Sequence, residues 1–479
     1  MIRRSLLGAL LSAILTLTSC ARAERYPPAP APKMSKPEQR IEEIPYALSW
    51  IERHETPDVP IVFVAQTSAE WPGLKTYWNE PPHPAAMRLS HVGLTSLHAL
   101  SAVAATEHQA SIKIKVPRGL PDPTPNVPPT NPLTLAKWQL GKKLFFENML
   151  RAGEDSYSCA KCHDPTTGFT ERGKDKNGPS RNTLSLLNVV YNRRQFWDGR
   201  VETLEETLVR SLDDERTVAS NLRRAKALEQ HIWGGTVGTL AKRPAFVQEF
   251  KSVFGVRQPT QDTIARALAT YLRTILSGDS LYDRIEEIRH AKKAPVLTLD
   301  QVKEALKEKD SNIGLRDPEV NEVKAEELPA RVFQGYELFK KHCVQCHRGP
   351  LFTDQDYHNV GYLGAEARPK DAETGRVAAV PIGLKGMRLF GAYRTPSLRN
   401  LPRTDPYFHD SSELTASHFT LMRVVEFYNE GVLPGPHLAE AMKEDGKARR
   451  LGLTKAEQES LVLFLRTLDG TRAHDEPQP

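Results

Sequence analysis

The sequence predicts a mainly α-helical chain in which two tandem, pseudo-symmetric domains follow an N-terminal extension. Three observations carry that expectation. The pattern C-x-x-C-H occurs twice, as Cys159-Ala160-Lys161-Cys162-His163 and Cys343-Val344-Gln345-Cys346-His347. A second set of blocks also repeats: Thr183-x-Ser185-Leu186-x-Asn188 returns as Thr395-x-Ser397-Leu398-x-Asn400, and Phe196-Trp197-Asp198 returns as Phe408-His409-Asp410, both 212 residues on. The segments around these blocks read mostly as amphipathic helices. The motif offset is smaller, 184 residues, so the second half carries about 28 extra residues around Tyr357 to Leu389.

C-x-x-C-H is the attachment signature of a c-type haem. Two thiols at that spacing can each add to a haem vinyl group, and the next residue offers an imidazole to the iron. A zinc or redox C-x-x-C is the alternative for one copy. A zinc site would not need a histidine after each cysteine pair, and a disulfide scaffold uses more cysteines in a shorter chain. Four of the five cysteines lie in the two motifs. Two covalent haems are therefore expected, on Cys159 and Cys162 and on Cys343 and Cys346, with His163 and His347 as axial ligands.

The chain in order supports this organisation. Its 479 residues suit two or three domains. A net charge of +6 is too mild to argue for nucleic acid, and is compatible with an acidic redox partner. Residues 1–20 read as a lipoprotein signal: Arg3 and Arg4, an apolar Leu6–Leu17, and a cysteine, Cys20, placed for lipidation. An ordinary secretory signal with an incidental cysteine is the other reading. The apolar run is too short to span a bilayer comfortably, so the membrane is expected to be met only through a lipid anchor. Export agrees with haem attachment outside the cytoplasm. Ala21 after the cysteine points to the periplasmic side of the outer membrane. Residues 21–40, with Pro27, Pro28, Pro30 and Pro32, form a tether.

Residues 41–130 form an extension of unassigned role. Pro60–Ala65 reads as a buried strand and Leu89–Ala105 has helical spacing. His54, His83, His91, His98 and His108 read as surface or capping histidines. Pro117 to Pro132 is a proline-rich strap. The first haem domain is placed at 131–310, with helices expected over 134–147, 202–222 and 260–290 and a polar loop over 164–180. A Lys- and Glu-rich stretch, 291–328, marks the boundary. The second domain, 311–470, opens on a helix over 330–341 and closes on one that starts near Leu453-Thr454-Lys455-Ala456-Glu457.

The blocks Leu140–Phe146, Gly168-Phe169-Thr170, Arg181-Asn182-Thr183, Phe196-Trp197-Asp198-Gly199-Arg200, Thr395–Asn400 and Pro406–Asp410, with the two haem motifs, make residues 130–470 resemble the bacterial di-haem cytochrome c peroxidases and the related MauG-type enzymes, which oxidise another protein. The resemblance implies two cytochrome c-like haem domains. The haem on His163 would meet hydrogen peroxide, and the haem on His347 would be the low-spin electron-transfer site. Trp197 matches the tryptophan between the haems, and Asn182, Thr404 and Pro406 match the positions that hold one calcium ion. Tyr428 falls where the peroxidases have a methionine ligand and MauG-type enzymes a tyrosine; Met422 and Met387 are its rivals. A phenolate would stabilise oxidised iron. The implied partners are hydrogen peroxide and a small electron-donor protein (a cytochrome c or copper protein), or a protein substrate. A homodimer is compatible.

The departures lie on the peroxide side. No histidine occurs between His163 and His231, and the family's Gln, Pro and Glu after the tryptophan are here Thr207, Ser211 and Thr217. Cleavage of the O–O bond needs a group that moves a proton between the two oxygens. Asp213, Asp214 and Glu215 are the substitutes; a solvated acidic turn is the other reading. The expected function is peroxide reduction by electrons relayed from the second haem to the first. The alternatives are MauG-like oxidation of a protein through a shared high-valent di-haem state, or a non-catalytic electron carrier or redox sensor.

Overall fold

In the computed structural model the described residues are 42–44, 59–65, 112–152, 155–171, 181–211, 232–307, 323–362, 375–380, 386, 389–409 and 420–470. Thr134 leaves extended backbone and its side chain accepts from the Lys137 N–H, which starts α1 (Leu135–Phe146). There follow α2 (Leu204–Ser211), α3 (Ile232–Ala241), α4 (Pro244–Phe254) and α5 (Gln261–Leu272). Next come α6 (Leu281–Ala291), α7 (Leu299–Ala305), α8 (Leu328–His342), α9 (Leu421–Glu430) and α10 (Lys455–Arg466). The expected capped start of the last helix is present: Thr454 and Glu457 form a capping box.

Strands are few. β1 (Glu42–Ile44), β2 (Ile61–Ala65) and β3 (Ile112–Val116) make a parallel sheet in the order β1-β3-β2, with Ile61 opposite Ile112 and Ala65 opposite Val116. The expected strand at 60–65 is thus one edge of a sheet. Its partner β3 alternates apolar and lysine residues, a period-2 signal. The Leu89–Ala105 segment lies outside the described residues.

Two apolar cores organise the helices. The first gathers Trp138, Leu144, Phe145, Leu268, Tyr271 and Ile275, where α1 lies on α5. The contact is so close that a Cβ on Gly141 would fall 2.0 Å from the Ala267 carbonyl oxygen. The second gathers Tyr282, Phe339, Phe352, Val425, Leu461 and Phe464, where α8 lies on α10. There a Cβ on Gly335 would fall 1.9 Å from the Ser460 carbonyl oxygen. Only glycine permits either approach.

The helix expected over 260–290 is two helices. α5 ends at Leu272, and Ser280 opens α6 with a capping box to Asp283. The break is where the chain changes core: Leu276 belongs to the first and Leu281 to the second. So α6 and α7, inside the 131–310 segment, pack with the second core. The change of core thus precedes the charged stretch that begins at 291.

The repeat asparagines meet at this break. Asn188 and Asn400 both adopt left-handed backbone, with φ of 60° and 62°, a conformation asparagine tolerates. Asn188 Nδ2 donates to the Ser277 carbonyl at 2.8 Å and its Oδ1 accepts from the Ser277 N–H at 2.9 Å. Ser277 Oγ in turn donates to Asn400 Oδ1 at 2.8 Å. Nearby, Arg399 and Asp283 form a fully buried pair with two contacts of 2.8 Å, and Arg399 also donates to the Gly119 carbonyl of the proline strap. Among the described residues no helix is long and apolar enough to cross a membrane.

Candidate functional site

Both C-x-x-C-H motifs close one tight turn. His163 N–H donates to the Cys159 carbonyl at 3.0 Å, and His347 N–H to the Cys343 carbonyl at 2.9 Å. Each imidazole is then fixed by a carbonyl: Nδ1 of His163 donates to Phe169 O at 3.1 Å, and Nδ1 of His347 to Phe352 O at 3.0 Å. A carbonyl can only accept, so Nδ1 carries the proton and Nε2 keeps a lone pair for a metal. Burial lowers the basicity of both rings, which keeps them neutral, the form that ligates iron. Phe169 and Phe352 reach these positions with φ of 58° and 52°. The preceding carbonyls are tied down alike, by Ser185 Oγ to Gly168 O and Ser397 Oγ to Leu351 O, both at 2.6 Å.

A cavity of about 530 Å³ opens beside the second motif, a size usual for a cofactor. Cys343, Cys346 and His347 form one wall, and Tyr428, Trp197, Arg394 and His409 also line it. α9 presents Leu421, Val424, Val425 and Tyr428 to the cavity, while Met422 lies in the second core. Burial, then Cys343 and Cys346, push the Tyr428 phenol above its ordinary range, so it ionises only against a cation. Met387 lies outside the described residues.

The cavity suits a group with carboxylates. Arg394 Nε and His409 Nε2 are buried there without a hydrogen-bond partner. Burial depresses the Arg394 guanidinium, and burial followed by Arg181 lowers His409 to about 3. Buried cationic and N–H groups left unpaired are costly; the acidic side chains of a haem would complete them. The two motifs and this cavity therefore fit covalently held haem. Cys346, Asp354 and His358 also converge, with His358 Nε2 2.8 Å from Asp354 Oδ2. Cys346 is already assigned to the haem motif, so this is not an independent metal site.

Trp197 is one of the residues that line the cavity. Its Nε1 donates to the Asn182 carbonyl at 2.8 Å, and its own carbonyl accepts from Arg394 N–H at 2.8 Å. Its ring meets His409 edge-on at 6.3 Å, and His409 stacks on Tyr393 at 3.6 Å. Next to it, Asp198 is fully buried between Arg181 and Arg200, at 2.8 and 2.9 Å. Burial opposes its ionisation, but Arg200 and Arg181 outweigh burial and hold the carboxyl below its ordinary range. Arg376, from the extra residues of the second half, donates to the Asp198 and Gly199 carbonyls at 2.9 and 2.5 Å. Gly199 has φ of 64°, and a Cβ on it would strike the Tyr357 hydroxyl at 1.7 Å. Tyr357 and Arg376 thus pack against the tryptophan turn.

Asn182, Thr404 and Pro406 all line the same cavity. Asn182 Nδ2 donates to the Pro406 carbonyl and, at 3.2 Å, to the Phe408 carbonyl. The Pro406 and Phe408 carbonyls thus converge on the Asn182 amide nitrogen. Asp213, Asp214, Glu215 and Thr217 lie outside the described residues, as does Cys20. On α2, Glu205 is bound by both terminal nitrogens of Arg273, at 2.7 and 2.8 Å, and so is committed to structure. Arg394, Tyr393 and Arg376 were not singled out by the sequence reading. For His409 a signal existed, since the repeat puts it opposite Trp197.

A helix-rich fold with two imidazoles poised over adjacent cysteine pairs defines a di-haem c-type protein. Residues 135–291 match the family model described as di-haem cytochrome c peroxidase. The chain is 30% identical over 419 residues to cytochrome-c peroxidase IdrP1 of Pseudomonas sp. (strain SCT), covering 80% of this chain and 94% of that one. It is 28% identical over 368 residues to the methylamine utilization protein MauG of Methylophilus methylotrophus, covering 75% of this chain and 88% of the relative. The crystal structure of a MauG-like protein associated with microbial copper homeostasis shares the fold, with a TM-score of 0.52 at 23% identity over 74% of this chain and 95% of that one. The chain belongs to the di-haem cytochrome c peroxidase family, oxidoreductases that carry two haems.

Proposed function

We propose that this protein reduces hydrogen peroxide at a haem held by Cys159, Cys162 and His163, with electrons relayed from a second haem held by Cys343, Cys346 and His347. The observation that carries the reading is the shared geometry of the two histidines, each with Nδ1 on a phenylalanine carbonyl and Nε2 left for iron. The two halves are read as tandem, pseudo-symmetric haem domains, with the core changing between Leu276 and Leu281. When bound, the haems supply one-electron redox centres, one of them open to peroxide.

The protein's own residues do the rest. Phe169 and Phe352 fix the tautomer and orientation of the ligands, and the apolar cores exclude water behind them. Arg394 and His409 would take the haem carboxylates in the cavity beside the second motif, and Tyr428 would offer its oxygen as a further ligand. Trp197, buried against that cavity, is the proposed stepping stone toward the first haem, because an indole can be oxidised and re-reduced. Asn182 with the carbonyls of Thr404 and Pro406 would hold calcium, with the Asn182 amide turned to present Oδ1. Asp213, Asp214 or Glu215 would move the proton between the peroxide oxygens. The electron donor would be a small cytochrome c or copper protein, met in the periplasm by a chain anchored through Cys20.

A second reading, oxidation of a protein substrate, is favoured by Tyr428, because the residue that α9 aims into the cavity is an oxygen donor and not Met422. A phenolate lowers the potential relative to a thioether. The test is a stoichiometric peroxide titration of the haem-loaded protein followed by absorbance. A peroxide-dependent spectral change that decays on adding a reduced donor supports peroxidase function, and decay without a donor but with a modified protein partner supports the second reading. A ferric spectrum indifferent to peroxide overturns both.

A further inference from the structure

In the second half, aromatic packing continues past the carbonyl that holds the imidazole. The Phe352 ring lies 5.2 Å from Tyr282, which lies 6.3 Å from Tyr336 on α8. Tyr282 is buried and Tyr336 is half-buried. Glu286 lies one turn on from Tyr282 along α6, where its charge acts on the phenol, and its carboxylate is held by Arg289 at 2.7 Å. The corresponding chain of the first half runs from Phe169 through Phe145 and Tyr271 to Trp138, with ring separations of 6.0, 5.3 and 5.8 Å. It ends on a fully buried indole whose N–H is spent on Thr274. The first chain is a sealed core, whereas the second places one phenol near a fixed carboxylate and ends on a tyrosine that is only partly buried.

We propose that Tyr282 and Tyr336 form a two-step oxidation relay leading from the haem site on His347 to the protein surface. Tyrosine gives up an electron at neutral pH only together with its proton, so a phenol beside a fixed carboxylate is suited to the first step. Tyr282 passes one electron to the oxidised haem site and its hydroxyl proton to Glu286. Tyr336 then re-reduces Tyr282, which takes its proton back from Glu286, and the Tyr336 proton leaves to water. The net change is one electron and one proton from Tyr336, leaving a neutral tyrosyl radical at the surface. Hydrogen peroxide is the oxidant: its reduction to two waters consumes two electrons and two protons, one of each from Tyr336 and the others from the external donor and solvent. The tyrosyl radical is in turn quenched by a one-electron reductant at the surface. The relay rests on the peroxidase reading, and the experiment separates the two.

Haem-loaded protein is treated with hydrogen peroxide and a nitrone spin trap, and the adducts are mapped by peptide mass spectrometry. Wild type is expected to carry the nitrone on Tyr336. Tyr282→Phe keeps the ring packing and is expected to lose that adduct while haem absorbance persists. Tyr336→Phe is expected to shift labelling to Tyr282 or abolish it. Peroxide consumption with no adduct on Tyr336, or an undiminished adduct in Tyr282→Phe, overturns the relay alone. A wild-type protein that does not consume peroxide overturns the peroxidase reading and the relay with it.

Discussion

Around His163 and around His347 the backbone repeats itself closely: a phenylalanine carbonyl on Nδ1, a serine hydroxyl on the carbonyl before it, a left-handed asparagine, and a glycine that lets two helices touch. The residues laid over that frame differ. Where the first half has Trp197 the second has His409, and where the first has Leu187 the second has Arg399. Each half has its own buried ion pair, Asp198 with Arg181 and Arg200 in the first and Asp283 with Arg399 in the second, and the cavity beside the second motif takes lining residues from both. Holding a ligand histidine thus needs only a short local device, which is repeated, while the environment that sets each site's chemistry comes from neighbours that diverge.

Arg399→Leu gives the second half the residue of the first and should reveal the largest difference between them. It leaves Asp283 buried and unpaired, and urea unfolding is expected to show a loss of about 4 kcal/mol. The double change with Asp283→Leu should recover most of it. A loss under about 1 kcal/mol for the single variant would show that the pair adds little net stability.

The helix crossings should instead behave alike. Gly141→Ala and Gly335→Ala each drive a methyl into a carbonyl oxygen, at 2.0 and 1.9 Å, and each is expected to cost about 3 kcal/mol in the same measurement. Clearly unequal costs would break the equivalence of the two crossings.

A smaller effect is expected at the tryptophan turn. Asp198→Asn should cost about 2 kcal/mol at neutral pH, because it removes charged hydrogen bonds to two arginines. The folded carboxyl is held below its unfolded value, so this contribution is present above the unfolded pKa of about 4 and is lost as pH falls through the folded one. Wild type and variant should therefore converge in stability in acid, and a gap independent of pH would assign the cost to packing.

Tyr428→Phe is expected to disturb the fold least of the four. Its effect is spectroscopic: the ligation signals of the haem on His347 should change, with its potential raised, while those of the haem on His163 stay. An unchanged spectrum would place the ligand elsewhere and remove the main chemical asymmetry between the sites.

Much of this was legible in the chain itself. The two C-x-x-C-H motifs, the repeated blocks, the α1 and α10 caps and the strand at β2 are written in spacings of a few residues, because local geometry demands those residue types there. The lysine–apolar alternation of β3 was equally readable. The tertiary structure alone decided the rest. The break between Leu272 and Leu281 reads as continuous helix locally, and it is the transfer from one core to the other that splits it. Asn188 and Asn400 meeting on Ser277, Arg399 on Asp283, Arg376 closing over Gly199 and Tyr282 packing beside Phe352 all join residues far apart in sequence. Such contacts leave no periodicity to read, since each partner is locally an ordinary polar or aromatic residue and acquires its role only when folding buries it against the other.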